Sequence, residues 1–152
     1  MTEQQAAGLA TGSATSRLTH QPGRAIVSAR GNHFVVDSPA PLGGPNEELN
    51  PIDLLLGALA TCGTFVCETV AQEMGIPLHG VTVTAAGDFD PRGLCGTEGI
   101  NPRMQGFRVR LVLSGPSEAQ AEALAEAFRT RCPVYTTFVR AAPIELEVEV
   151  EP

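Results

Sequence analysis

Residues 50–75 constrain the fold of this chain more than any other segment, because they read as one long apolar helix. Asn50 is a favoured N-cap, Pro51 suits the first helical position, and Gly75 suits the position just past the last turn. Apolar side chains surround the first turns on nearly all sides, which is typical of a helix buried inside a domain. Asp53 and Glu68 leave fewer than the roughly 20 continuous apolar residues that cross a bilayer, so we expect no membrane partner.

Cys62 lies in the middle of this predicted helix. Cys67 is rotated from it by about 140°, so the two thiols face different directions. Asp53 is rotated by about 180° and cannot activate Cys62 within the same helix. On its own, a cysteine on an apolar helix is most simply a small buried side chain. The stripe that holds Cys62 also holds Leu55, Leu59, Val66 and Thr69.

The other segments predict short strands and a second helix. Residues 24–29 and 33–37 are rich in β-forming residues and flank an Arg-Gly-Asn turn, which indicates a hairpin. Ser117 and Gln120 form the capping box of an amphipathic helix that Pro133 ends. Alternating apolar residues predict three further strands, at 81–85, 107–113 and 144–150.

The predicted order is β-β-α-β-β-α-β, an α+β domain with an antiparallel β-sheet, a long buried central helix and a second amphipathic helix. We place this single domain at residues 17–152, after a flexible N-terminus at 1–16. One small sheet cannot cover a helix that is apolar on all sides. We therefore expect a homodimer in which the two central helices cover each other.

Composition excludes several classes of function. The net charge of −7 and the lack of a basic cluster argue against a nucleic-acid partner. The chain has no lysine, which excludes Schiff-base chemistry. No apolar secretory signal opens the sequence, so we expect a cytoplasmic protein, in which cysteines indicate reactive thiols or a metal site rather than structural disulfides. The paired Cys and His motifs of zinc sites are missing, and we expect no metal or organic cofactor.

Cys132 is the second cysteine of interest, because it lies in phase with the buried stripe of the second helix, at its C-terminal end. Only the fold can bring it to Cys62, which is 70 residues away in sequence. Two thiols that converge in a dry site are what a cysteine peroxidase requires. One attacks the peroxide and becomes sulfenic acid, and the other resolves it as a disulfide.

Three short motifs carry a resemblance: LGG at 42–44, NPIDLLLGALATC at 50–62 and CPV at 132–134. Together with the order of elements, they resemble the osmotically inducible protein C / organic hydroperoxide resistance family of thiol peroxidases. The resemblance extends over about residues 17–152. The DPRG sequence at 90–93 looks more like the broad OsmC-like branch of that family than like its hydroperoxide reductases.

The resemblance implies an intertwined homodimer with two sites at the interface, in which Cys62 is the peroxidatic cysteine and Cys132 the resolving one. It also implies that an arginine of the N-terminal hairpin stabilises the thiolate. Arg24 is the first candidate for this role and Arg30 the second, with Asp53 as the carboxylate partner of the arginine. The apolar helix favours organic hydroperoxides as substrates, and a thiol or dithiol reductant must reopen the disulfide.

A second function stays open at this point: a non-catalytic binder of an apolar small molecule, with Cys62 as lining of the same dimer-interface pocket. A guanidinium within about 4 Å of the Cys62 sulfur would favour catalysis, and an all-apolar lining would favour binding. We interpret Cys67 as a packing residue and Cys95 as a loop thiol without a role.

Overall fold

The computed structural model describes residues 8–140 of the chain. The chain divides into two compact units, with the boundary between residues 54 and 55. The strand predicted at 144–150 lies outside the described residues, as do residues 1–7 of the predicted flexible N-terminus. The described residues form a mixed α+β fold with antiparallel sheets and three α-helices.

The N-terminal unit holds a three-stranded antiparallel sheet, whose strands are β1 (Thr15–Leu18), β2 (Arg24–Ala29) and β3 (Asn32–Asp37) in that order. β2 and β3 form the predicted hairpin. Its turn consists of Arg30 and Gly31, with φ angles of 51° and 79°. Two positive φ angles give the tight two-residue turn that matches the twist of the flanking strands.

β1 has no counterpart in the sequence prediction, which continued the flexible segment to residue 16. All of its side chains are exposed, so they follow no apolar alternation. The strand pairs with β2 through the backbone, in a register that places Arg17 opposite Ile26. Backbone pairing of an exposed edge strand leaves no pattern in the side chains, and pattern is what a sequence prediction reads.

Helix α1, Pro51–Met74, has both ends at the predicted residues. The Asn50 side chain accepts hydrogen bonds from the N–H groups of Ile52 and Asp53, at 2.8 and 3.1 Å. The Asp53 carboxylate accepts one in return from the Asn50 N–H, at 3.0 Å. Gly75 follows the last turn with a φ of 65°. These contacts confirm the predicted ends of α1.

The C-terminal unit continues with a two-stranded antiparallel sheet of β4 (Gly80–Asp88) and β5 (Gly106–Ser114). Helix α2 (Glu118–Arg131) begins with the predicted capping box, and helix α3 (Pro133–Val139) follows after one residue. The described order is therefore β-β-β-α-β-β-α-α, which corrects the predicted order by adding β1 and α3. The prediction ended the second helix at Pro133, but proline also suits the first position of a helix, and here it starts α3.

Two clusters of buried side chains form the core of the C-terminal unit. One includes Cys67 of α1 and Leu124 of α2. The other joins Leu59 of α1 to Phe128 of α2 and to Cys132, the residue between α2 and α3. Both clusters therefore pack α1 against α2.

Within a single chain, α1 buries only one face. Leu55 is 41% exposed and Phe65 is 59% exposed. A single chain therefore leaves part of α1 uncovered, as the sequence led us to expect. By length and composition α1 is apolar enough to cross a membrane, although the core helices of other proteins meet the same criterion. In its most apolar 18-residue segment, 28% of the residues are buried.

Candidate active site

Cys62 and Cys132 lie side by side in the C-terminal unit, with their sulfur atoms 2.8 Å apart. Both are free thiols. Cys62 comes from the middle of α1, and Cys132 is the single residue between α2 and α3. Because a disulfide bond is about 2.0 Å long, a small movement of either side chain allows the two sulfurs to bond.

Several hydrogen bonds hold Cys132 in place at the junction of α2 and α3. Its N–H donates to the Phe128 carbonyl at 3.2 Å, and its own carbonyl accepts from the Thr136 N–H at 3.0 Å. Its sulfur accepts from the Tyr135 N–H at 3.2 Å, so that the thiol caps α3. The side chain is fully buried. The local chain therefore fixes where this sulfur lies.

Burial raises the pKa of the Cys62 thiol, and its hydrogen bond with Cys132 raises that pKa further. The Val134 N–H lowers the pKa, because it stabilises a thiolate, but the net shift is upward. Cys62 is therefore held as a thiol in the reduced pair. Its proton must leave before it can attack, since the thiolate is the nucleophile.

Apolar side chains surround the thiol pair. A cavity of about 360 Å³ lies next to it, and Leu59, Phe128 and Tyr135 belong both to the cavity wall and to the cluster around Cys132. Arg129 is the one charged residue in the described lining. Such a wall suits an alkyl or aryl group better than an ion.

Arg24, the first candidate for the thiolate-stabilising arginine, lies on β2 in the N-terminal unit. Its Nε and Nη2 donate to the Asp37 carboxylate at 2.7 and 2.8 Å. Nη2 also donates to Glu47 at 2.8 Å, and Nη1 donates to the Gln21 side chain at 3.0 Å. Every nitrogen of the guanidinium therefore already has an acceptor.

Asp37 is the buried centre of this cluster. Its carboxylate also accepts the N–H groups of Glu47 and Glu48, at 3.0 and 3.1 Å. The hydrogen bonds from Arg24 hold the pKa of Asp37 well below its usual range, against the opposing effect of burial. The carboxylate thus anchors the end of the loop that leads into α1.

Arg30 and Asp53, the other residues expected beside the thiolate, have different surroundings. Arg30 is exposed in the hairpin turn. Asp53 caps α1, and among the described residues it makes no ion pair. The acidic partners of Arg24 are Asp37 and Glu47, and the expected pairing with Asp53 is not seen.

The sequence held a signal for the Arg24–Asp37 pair that the prediction did not use. A two-residue turn centred on Arg30 and Gly31 places Arg24 directly opposite Asp37. The predicted three-residue turn at 30–32 obscured this register. Because opposite residues in a hairpin face the same side, opposite charges at these positions indicate an ion pair.

The remaining cysteines lie apart from the pair. Cys67 is fully buried in its own cluster, and burial raises its pKa. Cys95 is exposed in the loop between β4 and β5. Across residues 8–140, no group of three or more His, Cys, Asp or Glu side chains is arranged to hold a metal ion.

Three solved structures illustrate the likeness of this chain to known proteins. An OsmC like protein from Mycoplasma pneumoniae is 16% identical, with a TM-score of 0.72 over 87% of this chain and 89% of that chain. A Legionella pneumophila organic hydroperoxide resistance protein OsmC is 23% identical, with a TM-score of 0.65 over 88% and 92%. An Elizabethkingia anophelis organic hydroperoxide resistance protein is 25% identical, with a TM-score of 0.63 over 88% and 90%.

Sequence comparison assigns the family. No curated protein sequence matches the chain. The family model described as OsmC-like protein matches residues 44–147, which is more than half of the chain. This range includes both cysteines of the thiol pair. The chain belongs to the OsmC-like protein family, as its three sequence motifs predicted.

Proposed function

We propose that this protein is a thiol-dependent peroxidase that reduces organic hydroperoxides in oxidative-stress defence. Cys62 is the peroxidatic cysteine and Cys132 the resolving one. The observation that carries the proposal is the 2.8 Å separation of their sulfur atoms. The assignment of roles rests on exposure, because Cys132 is buried and Cys62 is only partly so.

The reaction has two steps. The Cys62 thiolate attacks one oxygen of the peroxide, an S–O bond forms, the O–O bond breaks, and the departing alkoxide takes a proton to become an alcohol. The Cys132 thiolate then attacks the sulfenic sulfur, an S–S bond forms, and the hydroxide that leaves takes a proton to become water. The peroxide is reduced by two electrons, and the thiol pair is oxidised by two.

An external thiol or dithiol must return the two electrons, by exchange with the Cys62–Cys132 disulfide. The cycle requires no metal or organic cofactor. A reductant of this kind is abundant in the cytoplasm, and we place the protein there.

Two features support an organic substrate. The cavity wall beside the thiol pair is largely apolar. The Legionella and Elizabethkingia relatives are organic hydroperoxide resistance proteins.

We further propose that two chains form an intertwined homodimer. The exposed stripe of α1, which includes Leu55 and Phe65, is the surface that a second copy would cover. The alternative hypothesis is that a membrane surface covers the same residues of α1.

The test is stoichiometric oxidation of the reduced protein by cumene hydroperoxide, followed by thiol counting and peptide mapping. We expect the loss of two thiols per chain and one crosslinked peptide that joins Cys62 to Cys132. Cys62→Ser should abolish peroxide consumption. Cys132→Ser should allow one turnover and leave Cys62 as sulfenic acid. Cys95→Ser, at an exposed thiol outside the pair, is the matched control and should behave like the parent protein.

The second candidate function is a binder of an apolar small molecule. Two observations favour it: the largely apolar cavity wall, and the raised pKa of Cys62, because a protonated thiol is a poor nucleophile. If Cys62 stays reduced after excess hydroperoxide, the peroxidase proposal fails and binding replaces it.

A further inference from the structure

Arg131, which forms an ion pair with Glu73, is the residue directly before Cys132 of the thiol pair. Arg131 is the last residue of α2, whereas Glu73 lies in the last turn of α1. Arg131 Nη1 and Nη2 donate to the two carboxylate oxygens of Glu73, at 2.5 and 2.9 Å. This two-point geometry fixes orientation as well as distance.

In addition to the apolar contacts between α1 and α2, the described residues hold two hydrogen-bonded side-chain contacts between α1 and the α2–α3 segment, and this ion pair is one of them. Within residues 8–140, the hydrogen bonds made by side chains between these parts of the chain are those of Glu73 with Arg131 and of Cys62 with Cys132. Both links end at neighbouring residues on the α2 side. The ion pair is therefore placed to act on Cys132.

Within α1 itself, Glu73 lies in an electrostatically unfavourable position. A carboxylate in the last turn of a helix faces the negative end of the helix dipole, and α1 has no basic residue in that turn. Arg131 compensates for this unfavourable position from another helix. The contact across the two helices is thus what gives the carboxylate a favourable environment.

We propose that the Glu73–Arg131 ion pair is a positioning device that holds Cys132 against Cys62 and so promotes disulfide formation. The inference rests on the proposed function in naming Cys132 as the resolving thiol. A tether that limits the separation of two thiols raises their effective concentration. The pair then speeds the second step, in which Cys132 attacks the sulfenic sulfur, and shifts the thiol–disulfide equilibrium toward the disulfide. The first step, attack of Cys62 on the peroxide, does not depend on it.

The experiment measures the thiol–disulfide equilibrium of the full chain in glutathione buffers, which requires no peroxidase activity. Glu73→Gln keeps the size of the side chain and removes its charge. Because an exposed ion pair contributes modestly, we expect the equilibrium constant for disulfide formation to fall about two- to fivefold. The lifetime of the Cys62 sulfenic acid should lengthen by a similar factor, with no change in the rate of its formation. Raising the salt to about 1 M should bring the parent protein toward the variant.

The matched control is Glu126→Gln, which removes one of the two carboxylate partners of Arg129 within α2 at similar exposure. This control should leave the equilibrium unchanged. The double variant Glu73→Arg with Arg131→Glu restores opposite charges and should recover most of the loss. Equal behaviour of Glu73→Gln and the control, or a shift toward the disulfide, would overturn the proposal. A parent protein that consumes no peroxide but shows the equilibrium shift would refute the peroxidase function and leave the positioning role standing.

Discussion

At the scale of single residues, the protonation of Cys62 decides how fast the site can react. Its pKa is raised by burial and by the hydrogen bond with Cys132. An ordinary thiol has a pKa of about 8.5, so the thiolate fraction at neutral pH is already only a few per cent. At a fixed pH, each unit by which the pKa rises lowers this fraction about tenfold. The proposed peroxidase reaction would therefore have to gain its rate from stabilisation of the departing oxygen rather than from a large supply of thiolate.

The pH dependence of peroxide consumption follows from this shift. We expect the rate to rise about tenfold per pH unit from pH 6 to 8, and to keep rising beyond the ordinary thiol pKa of about 8.5. In Cys132→Ala, measured in a single turnover, burial remains but the neighbouring thiol is gone. The inflection should therefore move to lower pH. A rate that levels off below pH 7 would contradict the raised pKa of Cys62.

Arg24 and Asp37 provide a second prediction at the residue scale. The pKa of Asp37 is lowered in the folded chain, so its contribution to stability is present above the unfolded pKa near 3.9 and is lost as the pH falls below it. Arg24→Ala leaves this buried carboxylate without its cation. We expect the midpoint of thermal unfolding at pH 7 to fall on the order of 10 °C. Because Arg24 is the main cause of the lowered pKa, the variant should also lose less stability than the parent protein when the pH falls below about 4.

The same variant tests the role that the resemblance implies for Arg24. If the guanidinium also stabilises the thiolate, the peroxide rate falls more than about tenfold at a temperature where the variant is folded. If its role is limited to Asp37, the rate stays the same. Arg30→Ala, at the exposed turn, is the control for stability and should unfold at the parental temperature.

At the scale of elements, the crossing of α1 and α2 depends on a glycine. A Cβ atom at Gly63 would lie 3.1 and 3.2 Å from two ring carbons of Phe128, and 3.3 Å from a methyl carbon of Val83. Favourable carbon contacts are about 3.5–4.0 Å, so the side chains of Phe128 and Val83 would have to move by a few tenths of an ångström. Phe128 in turn accepts the hydrogen bond of the Cys132 N–H. The crossing therefore supports the thiol pair.

Gly63→Ala tests this crossing. We expect a net loss of up to about 2 kcal/mol in the free energy of unfolding, because forcing a methyl group into a packed contact costs about 1–3 kcal/mol while alanine gains about 1 kcal/mol in helix propensity over glycine. Disulfide formation should also slow, since Phe128 must move. Urea unfolding and thiol counting are the measurements. Thr69→Ala, on an exposed face of the same helix, is the control, and a Gly63→Ala protein as stable as that control would contradict the close approach.

The helices and strands also show which parts of the fold could be predicted from the sequence. The ends of α1 and the capping box of α2 were predictable because caps are local and involve residues a few positions apart. β1 and α3 were not, since one is an exposed edge strand and the other begins at a proline that also reads as a helix end. The contact of Cys62 with Cys132 joins residues 70 apart, and only the family resemblance pointed to it. Predicting the ion pair of Arg24 with Asp37 would have required the correct register of the β2–β3 hairpin.

At the scale of the whole molecule, the exposed stripe of α1 is the feature that a single chain leaves unexplained. Its apolar residues include Leu55 and Phe65, which are 41% and 59% exposed. Large apolar side chains left exposed on an otherwise packed helix indicate a surface that a partner can cover. If two copies pack these residues against each other about a two-fold axis, the exposed apolar side chains of both chains become buried.

The dimer prediction is tested by light scattering at micromolar concentration. We expect about twice the chain mass of 15.9 kDa. Phe65→Glu places a charge in the centre of the stripe and should give particles of the mass of one chain, because an unpaired charge cannot be buried without a large cost. Leu94→Glu, at an exposed apolar residue of the β4–β5 loop, is the control and should keep the dimeric mass.

Vesicle flotation distinguishes the two ways in which the exposed residues of α1 could be covered, by a second copy of the chain or by a membrane surface. A protein that scatters as a dimer and stays in solution with anionic vesicles has its stripe covered by a second copy. A protein that is monomeric and floats with the vesicles uses the stripe on a membrane, and the dimer is then refuted. A protein that is monomeric and does not float leaves the stripe in water, which also refutes the dimer. In that case the apolar pattern of α1 would reflect composition alone, since about half of an ordinary protein surface is already apolar.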